Sequence, residues 1–113
     1  MSECPLEIDV AAAQTLLQRA PAEKCLLLDC RTPEEYATAH IAGATLLPMQ
    51  DIPDRLAELE PWRHEQIVVH CHHGMRSLKV AQWLREQGFS QVSSMRGGID
   101  AWSTAIDAKV PRY

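Results

Sequence analysis

The sequence lacks an uninterrupted apolar run close to the roughly 20 residues that a membrane-spanning helix needs. Its first ten residues carry acidic but no basic side chains, so the basic start of a secretory signal is missing as well. No two of the four cysteines have the Cys-x-x-Cys spacing of redox and zinc motifs. We therefore expect a cytoplasmic protein without membrane contacts, whose cysteines are reduced thiols.

Repeats, low-complexity tracts and linkers are also missing, and 113 residues suit one domain, so we expect residues 1–113 to form a single domain. Hydrophobic residues make up 46% of the chain, which is enough for a globular core. The formal net charge of -4 provides no general attraction to nucleic acid or to anionic membranes. Any anion-binding site must therefore be local.

Apolar runs that resemble strands alternate with runs that resemble helices. Strands are predicted over residues 6–8, 25–28, 44–47, 67–70 and 92–95. Helices are predicted over 10–19, 52–59 and 77–87, together with a short helix after Thr32 and a final turn after Gly97 and Gly98. This alternation predicts an α/β fold: a small parallel sheet with helices on both faces, with sites where strands end and helices begin.

Local signals define several of the predicted helix ends. Asp9 is suited to cap the helix over 10–19. Thr32 is suited to cap the short helix, with Pro33 at its first position and Glu35 completing a capping box. Gly88 is placed to end the helix over 77–87.

The segment with the clearest chemistry joins a buried strand to a helix, and we call residues 71–77 the Cys71 loop. Its residues are Cys71, His72, His73, Gly74, Met75, Arg76 and Ser77. Gly74 permits a positive φ, so backbone N–H groups can turn inward and form a nest for an anion. The helix N-terminus and the charge of Arg76 also favour a thiolate. We therefore expect Cys71 to have a lowered pKa and to act as a nucleophile.

Each feature of this loop also has a simpler reading. Cys71 could be a buried core thiol, and Arg76 could be a solvated residue in the first helical turn. Cys71 with adjacent histidines could bind zinc or copper, but consecutive residues of an extended chain rarely converge on one ion. We therefore expect no metal and no organic cofactor. His72 and His73 are expected to line the mouth of the pocket, and His70 to face away from it.

Asp29 and Arg31 are expected near the same mouth, because they follow the neighbouring predicted strand. The favoured interpretation is an ion-pair network that supports the Cys71 loop. The alternative is direct contact between Arg31 and a bound anion.

Three segments resemble the signatures of the rhodanese family. The Cys71 loop resembles its active-site loop, residues 28–36 with 40–44 resemble its first signature, and residues 96–102 resemble its C-terminal signature. The resemblance covers nearly the whole chain and implies a rhodanese-type thiosulfate sulfurtransferase. It implies a persulfide on Cys71, a small sulfur donor such as thiosulfate, and a thiophilic acceptor, which is cyanide in test assays. Cys30 stands where the family more often has an aliphatic residue.

Three other functions remain open. A sulfur-relay or interaction module would exchange sulfur with a protein acceptor and turn over free donors slowly. A dual-specificity phosphatase is disfavoured, because by resemblance its loop is one residue longer than the four residues between Cys71 and Arg76. A redox sensor would pair Cys71 with a resolving cysteine, for which Cys30 is the candidate because it ends a neighbouring strand.

Overall fold

The structure, a computed structural model, describes residues 4–19 and 22–113. Positions 1–3, which include part of the acidic N-terminal stretch, and positions 20–21 lie outside the described residues. The described strands form one parallel sheet in the order β1-β5-β4-β2-β3. They are β1 Glu7–Ile8, β2 Cys25–Asp29, β3 Thr45–Leu46, β4 Gln66–His70 and β5 Val92–Met95.

Three α-helices lie between strands, namely α1 Val10–Gln18, α2 Pro33–Thr38 and α3 Met75–Glu86, and a fourth, α4 Gly98–Ala105, follows β5. The predicted α/β class and parallel sheet are confirmed, with element ends within about two residues of expectation for most segments. No helix within the described ranges is both long and apolar enough to cross a membrane.

The predicted helix over residues 52–59 is the main local error. The chain instead forms two 3₁₀ segments there, Met49–Asp51 and Pro53–Trp62, and Arg55 interrupts the second with non-helical φ and ψ of -114° and 17°. Pro61 lacks the N–H that an α-helix needs beyond its first turn, which disfavours a continuous α-helix here, whereas Pro53 lies at a helix start, where that N–H has no partner. Ile52 and Leu59 are buried as expected, whereas Leu56 is only half-buried.

The predicted helix ends are confirmed where side chains define them. The Ala12 N–H donates to Asp9 Oδ1 at 2.8 Å, which caps α1. Thr32 and Glu35 form the reciprocal capping box of α2. Gly88, at a φ of +96°, follows the end of α3 and turns the chain back towards the sheet.

The central strands are buried on both faces, because successive side chains point to opposite sides of the sheet. Leu28 and Val69 belong to a core cluster that includes residues of α3, and Leu27 and Val68 belong to a second cluster that includes residues of α1 and α4. The sheet is therefore covered on both sides, and its carboxyl edge remains as the place where a site can form.

Candidate active site

The Cys71 loop begins where β4 ends and continues into the first turns of α3. Gly74 precedes α3 with a φ of +105°, a conformation that glycine adopts at little cost. A Cβ atom at Gly74 would lie 3.2 Å from the Gly97 nitrogen, so the following segment also limits the space there. Gly74 therefore provides the reversal that turns the loop back over Cys71.

The Cys71 sulfur lies under this loop, among hydrogen-bond donors. The Gly74 N–H donates to Sγ at 3.0 Å and the Ser77 N–H at 3.4 Å, and the Cys71 thiol itself donates to the Ser77 hydroxyl oxygen at 3.5 Å. The Cys71 residue is only 1% exposed, so a reactant must enter the loop to meet its sulfur. Burial opposes ionisation, but hydrogen bonding with the Ser77 hydroxyl and with the N–H groups of Ser77, Gly74 and Arg76 lowers the pKa of Cys71.

Ser77 connects the loop to β5. Its hydroxyl group is 2.7 Å from the Ser94 hydroxyl and donates to the Gly74 carbonyl oxygen at 3.2 Å. Both serines are fully buried. Ser94 therefore belongs to the site, although the sequence marks it only as part of a strand.

The N-terminus of α4 holds the outer side of the loop. The Ile99 N–H donates to the Cys71 carbonyl at 2.9 Å, and the Asp100 N–H donates to the His72 carbonyl at 3.2 Å. Gly98 has a φ of +58°, and a Cβ atom there would collide with both carbonyl oxygens. These two hydrogen bonds tie the start of the Cys71 loop to α4.

Arg76 pairs directly with Glu35, for which the sequence predicts only a role in the capping box of α2. Its Nη1 and Nη2 donate to Glu35 Oε1 and Oε2 at 2.7 and 2.9 Å. The hydrogen bonds from Arg76 hold the pKa of Glu35 well below its usual range. The pair links the Cys71 loop to α2, and the Arg76 charge also interacts with the nearby thiol of Cys71.

Asp29 and Arg31 form a fully buried ion pair. Arg31 Nε and Nη2 donate to the two Asp29 carboxylate oxygens at 2.9 and 2.7 Å. The other Arg31 N–H groups donate to the Glu35 and Ala39 carbonyls and to the Tyr113 hydroxyl. With an acceptor for every N–H, this arrangement favours the supporting network over anion contact by Arg31.

Tyr113 brings the C-terminal segment to the same place. Its hydroxyl accepts from Arg31 and donates to Glu35 Oε2, each at 2.7 Å, and its ring stacks on His72 at a centroid distance of 4.0 Å. No pattern in the sequence marks Tyr113. Its role depends on contacts with residues that lie more than 40 positions away.

The three histidines that flank Cys71 occupy different environments. His70 is fully buried, with Nε2 3.7 Å from Asp29 Oδ2, and burial lowers its pKa to about 4, so it is neutral near pH 7. His72 and His73 stack on each other, and His73 Nε2 lies 3.8 Å from Asp100 Oδ2. Potential ligand atoms of His72, His73 and Asp100 lie within 4.8 Å of one another, but Cys71 is not in this group.

Comparison with known proteins agrees with this geometry. The model of the rhodanese-like domain family matches residues 12–105. The chain belongs to the rhodanese-like domain family. This rhodanese-like domain is 41% identical over 98 residues to a sulfurtransferase of Allochromatium vinosum, covering 86% of this chain and 87% of the relative. It is 38% identical over 103 residues to thiosulfate sulfurtransferase GlpE of Pseudoalteromonas translucida, covering 91% and 95%.

Solved structures share the fold of this rhodanese-like domain. A rhodanese-like domain protein from Staphylococcus aureus superposes with a TM-score of 0.78 at 28% identity, covering 96% of this chain and 99% of that one. The human single-domain sulfurtransferase TSTD1 has the same TM-score at 20% identity, covering 89% and 97%, and here the likeness concerns the fold alone.

Proposed function

We propose that this rhodanese-like domain is a sulfurtransferase that carries sulfane sulfur as a persulfide on Cys71. The observation that carries the proposal is the convergence of the Gly74 and Ser77 N–H groups on the Cys71 sulfur, with the Ser77 hydroxyl oxygen 3.5 Å away. Such a cradle stabilises a thiolate, and the same donors can stabilise negative charge on a persulfide. The names of the relatives support the same reaction class.

The reaction has two displacement steps. The Cys71 thiolate attacks the outer sulfur of thiosulfate, forms the Cys71 S–S bond and releases sulfite. A thiophilic acceptor, cyanide in a test assay, then attacks the outer sulfur of the persulfide. This step forms thiocyanate and regenerates the Cys71 thiolate. Neither step changes the number of protons, and neither needs a metal or an organic cofactor.

The loop residues have distinct proposed roles. Gly74 and Ser77 donate hydrogen bonds to the Cys71 sulfur through their N–H groups. Arg76, which is held by Glu35, supplies positive charge at the mouth of the loop. The buried ion pair of Asp29 and Arg31 supports the loop. His72, His73 and Met75 form the rim that an entering donor meets first. We propose a cytoplasmic location, because reduced thiols suit that compartment.

A protein-partnered sulfur relay is the second candidate, and Met75 favours it. Met75 is 76% exposed although it is a large apolar residue within the loop, whereas Cys71 beside it is 1% exposed. An exposed methionine at the rim of a buried nucleophile suits contact with a protein that delivers or takes sulfur. Slow turnover of thiosulfate alongside fast persulfide formation from a protein donor would identify this variant of the reaction.

Intact-mass analysis tests the proposal. Thiosulfate should add one sulfur to the protein, about 32 Da, and cyanide should remove it. Cys71→Ser should abolish the adduct. Cys25→Ser is the control and should leave it unchanged, because Cys25 begins β2 and the site lies where β2 ends. An adduct of equal size in Cys71→Ser would refute the assignment. Turnover of an aryl phosphate that depends on Cys71 and rivals sulfur transfer would favour a phosphatase.

A further inference from the structure

Cys30 occupies the position beside Cys71 on the neighbouring strand. In the parallel pair of β2 and β4, Asp29 is the register partner of His70, and the Cys30 N–H continues the ladder by donating to the His70 carbonyl at 3.1 Å. Cys30 and Cys71 are the next residues of the two strands. Adjacent strands lie about 4.8 Å apart, within the roughly 4.4–6.8 Å between Cα atoms that a disulfide spans.

The two side chains also share a face of the sheet. Residues at paired positions of neighbouring strands point the same way, and both cysteines belong to the core cluster that includes Leu28 and Val69. The Cys30 thiol donates to the His70 carbonyl at 3.4 Å, so it is held towards β4. Both thiols are free, and both residues are 1% exposed.

A small cavity of about 120 Å³ lies beside Cys30. Its lining includes Cys30, Arg31 and Met49, and Arg76 of the Cys71 loop. The cavity therefore extends from Cys30 to the loop that holds the Cys71 sulfur. It offers space for a molecule the size of a peroxide and for local adjustment of the two side chains.

We propose that Cys30 is a resolving thiol, which closes a reversible disulfide with Cys71 after a peroxide has oxidised the Cys71 thiolate. In the first step, the thiolate attacks one oxygen of hydrogen peroxide, becomes a sulfenic acid and releases hydroxide. In the second step, the Cys30 thiol displaces the hydroxyl group from the Cys71 sulfur. The Cys30 proton leaves with that hydroxyl group as water, and the S–S bond forms.

The surroundings give the two cysteines different starting states. Burial, followed by the charges of Cys71 and Asp29, raises the pKa of Cys30 well above its ordinary value, whereas the loop donors lower that of Cys71. Cys71 therefore meets the peroxide first. Its conversion to a neutral sulfenic acid removes one of the charges that keep Cys30 protonated, so Cys30 can lose its proton as it attacks in the second step. The disulfide would halt sulfur transfer and protect Cys71 from further oxidation to the sulfinic and sulfonic acids, until a dithiol reduced it.

Peptide mapping after treatment with about one equivalent of hydrogen peroxide tests the pair directly. The intact mass should fall by about 2 Da, the two hydrogens lost on disulfide formation. Trypsin under non-reducing conditions should release a linked pair of peptides, residues 25–31 and 64–76. Because the first peptide also contains Cys25, the experiment uses Cys25→Ser as its background, in which the linked pair should persist.

Cys30→Ser and Cys30→Ala provide the second measurement. In these variants excess peroxide should carry Cys71 on to the sulfinic and sulfonic acids, a gain of about 32 or 48 Da. Dithiothreitol should then fail to restore the unmodified mass and the Cys71-dependent alkylation. In the Cys25→Ser background the same reductant should restore both. Equal reversibility with and without Cys30, linkage of Cys71 to Cys4 instead, or loss of the linked pair in Cys25→Ser would overturn the proposal. None of these readouts requires sulfur transfer, so the result is independent of the proposed enzymatic function.

Discussion

Arg76 and Glu35 form a bidentate ion pair across 41 residues of sequence, with Nη1–Oε1 and Nη2–Oε2 distances of 2.7 and 2.9 Å. The pair joins the Cys71 loop to the first turn of α2. Glu35 also accepts from the Tyr113 hydroxyl and completes the capping box with Thr32. One carboxylate thus connects a helix cap, the C-terminal segment and the cation of the Cys71 loop.

Replacing Arg76 should affect the chemistry more than the fold. Arg76→Ala removes a cation near Cys71, so we expect the pKa of Cys71 to rise and sulfur transfer to fall by roughly tenfold to a thousandfold. The loss of a partly exposed ion pair should cost about 1 kcal/mol of stability or less. Initial rates with thiosulfate and cyanide and the pH dependence of iodoacetamide alkylation measure the two effects.

Two further variants control this experiment. Arg76→Lys should restore only part of the rate, because an ammonium group cannot reproduce the bidentate contact with Glu35. Lys79→Ala removes an exposed cation from the same helix and should leave rate and alkylation nearly unchanged. If Arg76→Ala alters neither rate nor alkylation, the backbone N–H groups and Ser77 alone hold the thiolate.

Glu35 should make the stability of the protein depend on acid. Arg76 lowers the pKa of Glu35 in the folded state, so its contribution to stability is present above the ordinary carboxyl pKa of about 4.5 and is lost as the pH falls below it. Glu35→Gln keeps a residue compatible with the capping box but has no charge to titrate. We therefore expect urea midpoints to fall less steeply below pH 5 in Glu35→Gln than in the wild type.

Glu34→Gln is the matched control, since Glu34 lies in the same helical turn but is exposed. Its pH profile should follow that of the wild type. Identical slopes for Glu34→Gln and Glu35→Gln would contradict a stabilising role for the pair with Arg76.

The Ser77 hydroxyl should contribute to ionisation of Cys71 separately from the backbone. Ser77→Ala leaves the N–H groups of Gly74 and Ser77 in place and removes the hydroxyl 3.5 Å from the sulfur. The pH profile of Cys71 alkylation should then move upward by about one unit, a tenfold loss of thiolate near neutral pH. Ser94→Ala, which removes only the partner of that hydroxyl, should move the profile less. An unchanged profile in Ser77→Ala would mean that the backbone N–H groups alone stabilise the Cys71 thiolate.

The features predicted correctly from the sequence are those with local signals. The Thr32–Glu35 capping box depends on residues three apart, and alternating strands and helices determine a parallel sheet with little ambiguity. The position of Cys71 between a buried strand and a helix follows from the same patterns. The 3₁₀ segments differ from the predicted helix because the apolar spacing at 52, 56 and 59 is compatible with an α-helix, whereas the non-helical backbone at Arg55 and the proline at position 61 interrupt one.

The partners of the site residues could not be predicted in the same way. Glu35, Ser94 and Tyr113 reach the Cys71 loop only after strands and helices distant in sequence have packed together. Each would be an ordinary cap, strand or terminal residue in another fold. Their contributions depend on tertiary distances, for which a single sequence contains no periodic signal.

A substitution at Gly98 can distinguish two effects: the loss of stability from backbone strain at a positive φ, and the displacement of the Cys71 loop. Ala at Gly98 would meet a strained φ of +58° and collide with the carbonyl oxygens of Cys71 and His72, which accept from the N–H groups of Ile99 and Asp100. Gly98→Ala should therefore destabilise the protein by about 3 kcal/mol or more. Because the collision displaces the loop, the remaining folded protein should also transfer sulfur slowly and show a raised pKa for Cys71.

Gly43→Ala is the matched control for this variant. Gly43 has a φ of +86°, so alanine meets a similar backbone strain, but nothing lies within 4 Å of the added Cβ atom. It should cost only about 1 kcal/mol and leave the Cys71 alkylation profile at its wild-type position. Urea unfolding gives the stabilities, and alkylation below the unfolding transition gives the state of the loop. If both variants lose the same stability and keep the same Cys71 alkylation profile, then Gly98 does not position the Cys71 loop. The positive φ alone would then account for a glycine at position 98.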